Sequence, residues 1–89
     1  MVDPALWGRL RELLSYYTGA PEAGLDAASC PQNTAGWDSV ANLGLMGAIE
    51  DEFGVMVASE DVIRLRTLGD IAAFVVENRG KAPGTATGA

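Results

Sequence analysis

The chain has 89 residues, and 48% of them are hydrophobic, which predicts one small domain with a core of its own. Its twelve acidic and six basic residues give a net charge of −6, which argues against nucleic-acid phosphates or anionic membrane surfaces as partners. No apolar run approaches the ~18 residues that span a bilayer, and a single cysteine excludes an internal disulfide. We therefore expect a protein of the reducing cytoplasm.

A first helix is predicted to begin at Asp3 and Pro4, because a capping aspartate followed by proline suits the first turn of a helix. Its apolar side chains follow helical spacing on one face: Leu6, Leu10, Leu13, Leu14 and Tyr17. Glycine and proline then become frequent, so residues 19–37 are predicted to form a loop. A loop of that length should pack against the helices, and Leu25 is its expected anchor.

A second helix is predicted to begin at Asp38, whose side chain can cap it and leave Ser39 in the first turn. Its core face comprises Leu45, Met46, Ile49 and Phe53. Its outer face comprises Val40, Leu43, Gly44, Gly47, Glu50 and Asp51. Each of the two outer glycines costs roughly 1 kcal/mol relative to alanine. We therefore expect them to let another molecule approach the backbone closely. Gly54 is the expected end of this helix.

Two further helices complete the predicted fold. Ser59 is expected to cap a short third helix, whose apolar content is Val62, Ile63 and Leu65. Thr67 is expected to cap the last helix in a capping box with Asp70. The inner stripe of that helix is Leu68, Ile71, Ala72 and Val75. The sequence thus predicts an all-α four-helix bundle over residues 1–79, with three main helices, one short third helix, a long first loop and a flexible tail at residues 80–89.

The chain offers little chemistry of its own. It has no histidine, which excludes a Ser-His-Asp hydrolase, and its only lysine, Lys81, lies in the expected tail. Cys30 is interpreted as a small half-buried thiol. No metal site is expected, since zinc ligands are lacking and residues 50–52 do not follow the pattern of a calcium loop. Ser39 has no internal base, so another protein would have to activate it.

Three segments at this spacing resemble the acyl carrier protein family over residues 4–79. The segments are Asp38-Ser39-Val40, the run Gly47–Val55 and the run Thr67–Ile71. At the first of them the family motif is Asp-Ser-Leu. The resemblance implies a 4′-phosphopantetheine arm on Ser39, with Asp38 beside it, supplied from coenzyme A by a magnesium-using phosphopantetheinyl transferase. The thiol of the arm would hold acyl groups as thioesters for acyl-loading, acyl-transfer or condensing enzymes. The protein itself would be a monomer and would catalyse nothing.

The departures from the family pattern bear on the subtype. Fatty-acid carriers usually have acids at the positions of Ala41 and Gly44, and Gly36-Trp37 also differs from their common pattern. The chain therefore looks like a discrete carrier for polyketides or related natural products. A fatty-acid carrier, or an unmodified helical interaction module with the same fold, remains an alternative. The resemblance implies a use for the outer face of the second helix as a partner surface: Val40, Leu43, Gly44, Gly47, Glu50 and Asp51.

Overall fold

The computed structural model describes residues 3–79, which form four α-helices and one short 3₁₀ turn. The helices are α1 (Pro4–Thr18), α2 (Ser39–Phe53), α3 (Ser59–Arg64) and α4 (Leu68–Asn78), and the 3₁₀ turn is Glu22–Gly24. The described part of the chain contains no strand. The predicted all-α bundle with a short third helix is confirmed, whereas the tail predicted at residues 80–89 lies outside the described residues.

Local capping fixes the ends of α1 as predicted. The Asp3 Oδ1 atom accepts the Leu6 N–H at 2.7 Å, and Pro4 occupies the first turn. At the other end Gly19 has a φ of 80°, and its N–H donates to the Ser15 carbonyl at 2.7 Å. A left-handed residue at this position favours glycine, which explains why the helix ends here.

The core lies between α1, α2 and α4. The helices contribute mainly aliphatic residues to it: Leu6, Leu10, Leu13, Leu14, Leu45, Met46, Ile49, Leu68, Ile71, Ala72 and Val75. The loops add Leu25, Trp37 and Val55. The predicted inner faces and the loop anchor Leu25 are confirmed, with Phe53 and Tyr17 only partly buried.

The short helix α3 departs from the prediction in its cap. It begins at Ser59, but Ser59 does not cap it: the capping position is Ala58, whose N–H is accepted by Asp61 Oδ2 at 3.0 Å. The helix buries no residue, and Val62 and Ile63 from its predicted apolar content are exposed. A helix of six residues that packs outside the core leaves its apolar side chains at the surface.

The long loop is held to the start of α4. The Leu68 N–H donates to the Ser29 carbonyl at 2.9 Å, and the Gly69 N–H donates to the Ala27 carbonyl at 3.0 Å. A Cβ atom at Gly69 would lie 3.0 Å from that same Ala27 oxygen, so glycine permits the close approach. The predicted Thr67–Asp70 capping box is confirmed, since each residue's backbone N–H is accepted by the other's side chain. These bonds fix the loop that leads to Asp38.

An exposed ion pair joins α1 to the end of α2. The Arg9 guanidinium donates to both carboxylate oxygens of Glu52, at 2.8 Å from Nε and 3.0 Å from Nη2, and its Nη1 donates to Glu12 at 3.0 Å. The hydrogen bonds from Arg9 lower the pKa of Glu52, and those to the two glutamates raise the pKa of Arg9. The pair is bidentate, which adds geometric definition to the contact between the helices.

Candidate functional site

Ser39 is the first residue of α2, and its side chain is exposed. The preceding residue, Asp38, has an extended backbone, and its Oδ1 accepts the Ala41 N–H at 2.9 Å, as predicted for a cap. Asp38 is therefore committed to the helix start and places the Ser39 hydroxyl at the N-terminal end of the helix, where backbone N–H groups favour an attached anion.

A groove of about 540 Å³ lies beside Ser39, between α2 and α3. We call it the α2–α3 groove. Its apolar lining consists of Leu43, Met46, Val57 and Val62, with Gly47 between them. Its polar lining consists of Ser39, Asn42, Glu50 and Ser59. An open apolar groove with a few polar groups suits a chain that is partly hydrocarbon and partly polar.

Large apolar side chains are exposed on α2, on α3 and on the segment that connects them. Val40 and Leu43 of α2 are exposed as predicted, and Leu43 is 75% exposed. Ile63 of α3 and Met56 of the connecting segment are similarly open, at 72% and 71%. The sequence analysis gave Ile63 only as part of the apolar content of the third helix and did not single out Met56. Several exposed large apolar residues on neighbouring segments are typical of an interaction surface.

The prediction that Gly44 lies on an open outer face is wrong. Gly44 is half-buried, and a Cβ atom there would lie 2.6 Å from Cε1 of Tyr17 in α1. The glycine therefore makes room for Tyr17, within the contact of the two helices. Gly47 differs, because it is exposed and no atom lies within 4 Å of the position of its Cβ. Its role in close approach by another molecule stays a prediction.

Glu50 is also more than a free surface acid. It is half-buried, and its Oε2 accepts the Val57 N–H at 2.8 Å, while its backbone oxygen accepts the Gly54 N–H at 3.0 Å. Both bonds hold the segment that leads from α2 into α3. Asp51 is exposed, as predicted for the outer face. Whether either acid meets a partner stays a prediction.

The structure reveals one contact that sequence reasoning missed. Trp37 is only 3% exposed, and its indole Nε1–H donates to Asn42 Oδ1 at 3.0 Å. Asn42 is half-buried and lies on the α2–α3 groove. The available signal was an aromatic residue directly before the Asp-Ser-Val motif, followed by an amide one turn into the helix. The buried tryptophan thus anchors the start of α2 from the loop side.

Two negative findings concern the described residues alone. Between residues 3 and 79 there is no group of three or more His, Cys, Asp or Glu side chains that could hold a metal ion. None of the helices in this range has the length and apolarity that crossing a membrane requires.

Two comparisons with known proteins indicate the same family. The family model described as a phosphopantetheine attachment site matches residues 8–75. Over 71 residues the chain is 30% identical to an acyl carrier protein of Kineococcus radiotolerans, a stretch that covers 80% of this chain and 88% of that protein.

The family match indicates a covalently attached 4′-phosphopantetheine as the cofactor. The residues around Ser39 fit such a group. The hydroxyl is exposed at a helix N-terminus, where a phosphate is favoured, and a groove with polar and apolar walls begins beside it. When attached, the arm would supply a terminal thiol that can hold an acyl group as a thioester.

Proposed function

Because this chain belongs to the acyl carrier protein family, we propose that Ser39 carries its phosphopantetheine arm and that the protein delivers thioester-bound acyl intermediates to partner enzymes. The observation that carries this proposal is the exposed Ser39 hydroxyl at the first residue of α2, beside a groove that can receive a chain. The pathway that we propose is the synthesis of polyketides or related natural products.

The residues around Ser39 indicate which protein supplies the base for attachment of the arm. The chain has no histidine, and the Asp38 carboxylate already accepts the Ala41 N–H. One carboxylate oxygen of Asp38 thus serves as the helix cap that positions the serine. We infer that the phosphopantetheinyl transferase supplies the base and the magnesium for attachment. The carrier contributes an accessible hydroxyl and catalyses no step itself.

The partner surface that we propose combines the exposed part of α2 with α3. Val40 and Leu43 form its apolar part on α2, and Asp51 adds charge at the far end. Ala41 is buried and Gly44 lies beneath Tyr17, so neither of these positions presents a side chain to a partner. The first half of the surface is thus apolar and the second half is acidic, which suits a partner with an apolar contact and basic residues.

Two observations support our proposal of a polyketide or related pathway. Acids that fatty-acid carriers place early in this helix are missing here, and the adjoining groove has four polar lining residues beside its apolar ones. A groove of this mixed character favours acyl chains that keep oxygen atoms over plain hydrocarbon chains. We expect the protein to act as a monomer in the cytoplasm.

The proposal is tested by intact mass after incubation with coenzyme A and a broad-specificity phosphopantetheinyl transferase. We expect a gain of one phosphopantetheine group in the wild type and in Ser59→Ala, a control that removes another exposed hydroxyl lining the same groove. Ser39→Ala should gain nothing. Absence of any gain in the wild type would favour the unmodified interaction module. The subtype is then tested by comparing transfer of saturated and 3-oxo acyl chains from the loaded protein to condensing enzymes of fatty-acid and polyketide pathways.

A further inference from the structure

Asn42 occupies a special place relative to Ser39. It lies three residues further along α2, so the two side chains share one face of the helix. Asn42 lines the α2–α3 groove and also a second groove of about 380 Å³, whose lining includes Pro31, Ile63 and Arg66. Asn42 is thus common to both grooves, and Ser39 lines the first of them.

The direction of that amide is fixed by Trp37. An indole N–H can only donate, so the atom of Asn42 that it meets at 3.0 Å must be the carbonyl oxygen. The NH₂ group of Asn42 consequently points away from Trp37. Within residues 3–79 this NH₂ group donates to no acceptor. Its nitrogen is also not among the fully buried polar atoms that lack a partner. It is therefore a donor that is held in place and open to solvent.

The other polar groups of the groove differ from it. The Glu50 carboxylate can only accept, and it already accepts the Val57 N–H. The Ser59 hydroxyl is exposed and can rotate. Asn42 is thus the donor whose direction is set by a bond to a buried side chain. A donor that is oriented beforehand loses little freedom when it binds an acceptor, so it discriminates well between chains.

We propose that the Asn42 NH₂ group donates a hydrogen bond to a carbonyl oxygen that the cargo chain carries beyond its thioester. This inference rests on the proposed function. A chain with a 3-oxo group satisfies the donor when it settles in the groove. A saturated chain that covers the donor removes it from water without a replacement, which is unfavourable. The protein therefore shelters oxo-acyl chains in preference to alkyl chains of the same length.

The test uses the holo protein and two loaded forms made with non-hydrolysable pantetheine analogues, one saturated and one 3-oxo, of equal chain length. The readouts are the NMR resonances of the Asn42 NH₂ group and the Trp37 indole N–H. The NH₂ groups of Asn33 and Asn78 serve as internal controls, because they donate to the Ala28 and Phe74 carbonyls. We expect shifts of the Asn42 and Trp37 signals with the 3-oxo chain only.

The matched variant is Asn42→Asp, which keeps an acceptor for the Trp37 indole and lacks the donor. Its urea midpoint should stay close to that of the wild type. The ratio of sheltered to exposed chain, read from the Met46 methyl signal, should fall roughly two- to tenfold more for the 3-oxo chain than for the saturated chain, as expected for one neutral hydrogen bond. Both chains would cover the new carboxylate, but only the 3-oxo chain loses a donor.

Several outcomes would overturn the inference. Equal shifts with the holo or saturated form would place the acceptor in the arm or at the thioester position rather than further along the cargo. Unshifted Asn42 and Trp37 signals, or equal sheltering of the 3-oxo chain by the Asn42→Asp variant, would show that the Asn42 NH₂ group does not bind the cargo. Loading is verified by mass beforehand. Failure to load Ser39 contradicts the proposed function, whereas normal loading with unresponsive spectra contradicts this inference alone.

Discussion

The carboxylate of Glu50 accepts the backbone N–H of Val57 at 2.8 Å, so the end of α2 holds the segment that leads into α3. Both residues line the α2–α3 groove. The bond thus connects the stability of the bundle to the shape of the groove beside Ser39.

We predict that Glu50→Ala destabilises the protein by about 1–2 kcal/mol, because the partly buried Val57 N–H loses a charged acceptor. Glu50→Gln keeps an acceptor oxygen and should lose less. Asp51→Ala is the matched control, since Asp51 is exposed one residue further along. Urea unfolding and hydrogen exchange of the Val57 amide measure these effects. Equal stability of Glu50→Ala and Asp51→Ala would show that the bond does not hold the segment.

The two glycines of α2 are predicted to respond in opposite ways to alanine. Gly47→Ala should stabilise the protein by up to about 1 kcal/mol, because the site is open and alanine is the better helix former. Gly44→Ala must displace the Tyr17 ring and should destabilise by about 1–3 kcal/mol, the usual range for overpacking.

Thermal or urea unfolding of the single variants and of Gly44→Ala combined with Tyr17→Ala tests this explanation. If the Tyr17 contact is the cause, the effect of Gly44→Ala becomes favourable once the ring is removed. A stabilising Gly44→Ala in the presence of Tyr17 would contradict the assigned packing.

The Arg9–Glu52 pair predicts a specific dependence of stability on pH. Because Arg9 lowers the pKa of Glu52, the native state favours the charged carboxylate. Its contribution is present above the ordinary pKa of glutamate and is lost as the pH falls through the lowered value. Glu52→Gln should therefore reduce stability at neutral pH and flatten the loss of stability on acidification. Both effects should shrink in high salt, since the pair is exposed.

Urea midpoints of the wild type and Glu52→Gln, measured from neutral to acidic pH, test this prediction. Asp3 also has a lowered pKa, chiefly because it accepts the Leu6 N–H, so some acid sensitivity remains in the variant. Glu22→Gln is the control, as Glu22 makes no ion pair within the described range. The same pH profile for Glu52→Gln and the wild type would contradict the prediction.

The exposed apolar residues near Ser39 should matter for transfer and little for stability. We predict that Leu43→Ser or Ile63→Ser slows acyl transfer to a partner enzyme about tenfold, the scale of a lost apolar contact at an interface. Tyr16→Ser is a matched control on α1, because Tyr16 is 79% exposed and is not a lining residue of the α2–α3 groove. Equal transfer rates for all three variants, measured at saturating arm attachment, would place the partner elsewhere.

The sequence predicted those features that depend on neighbouring residues. The caps at Asp3, Asp38 and Thr67 each join a side chain to a backbone N–H three residues away, so their pattern is visible in the chain. The core faces of α1, α2 and α4 followed from helical periodicity for the same reason.

The features that escaped prediction join distant residues or depend on helix placement. Tyr17 lies over Gly44 only because α1 packs on α2, and no local pattern encodes that contact. Glu50 was expected to be a free acid, since periodicity gives the face of a residue but not its bond to the following loop. The exposure of Ile63 was not predicted, because its helix is too short to show which side is buried.

The claim that Ser39 carries the arm is tested most directly by fragmentation mass spectrometry of the protein after reaction with coenzyme A and the transferase. The account predicts a single phosphopantetheine group on the peptide that contains Ser39, with the fragment ions placing it on that residue. A group located on another residue, or an equal gain by the Ser39→Ala variant, would contradict it.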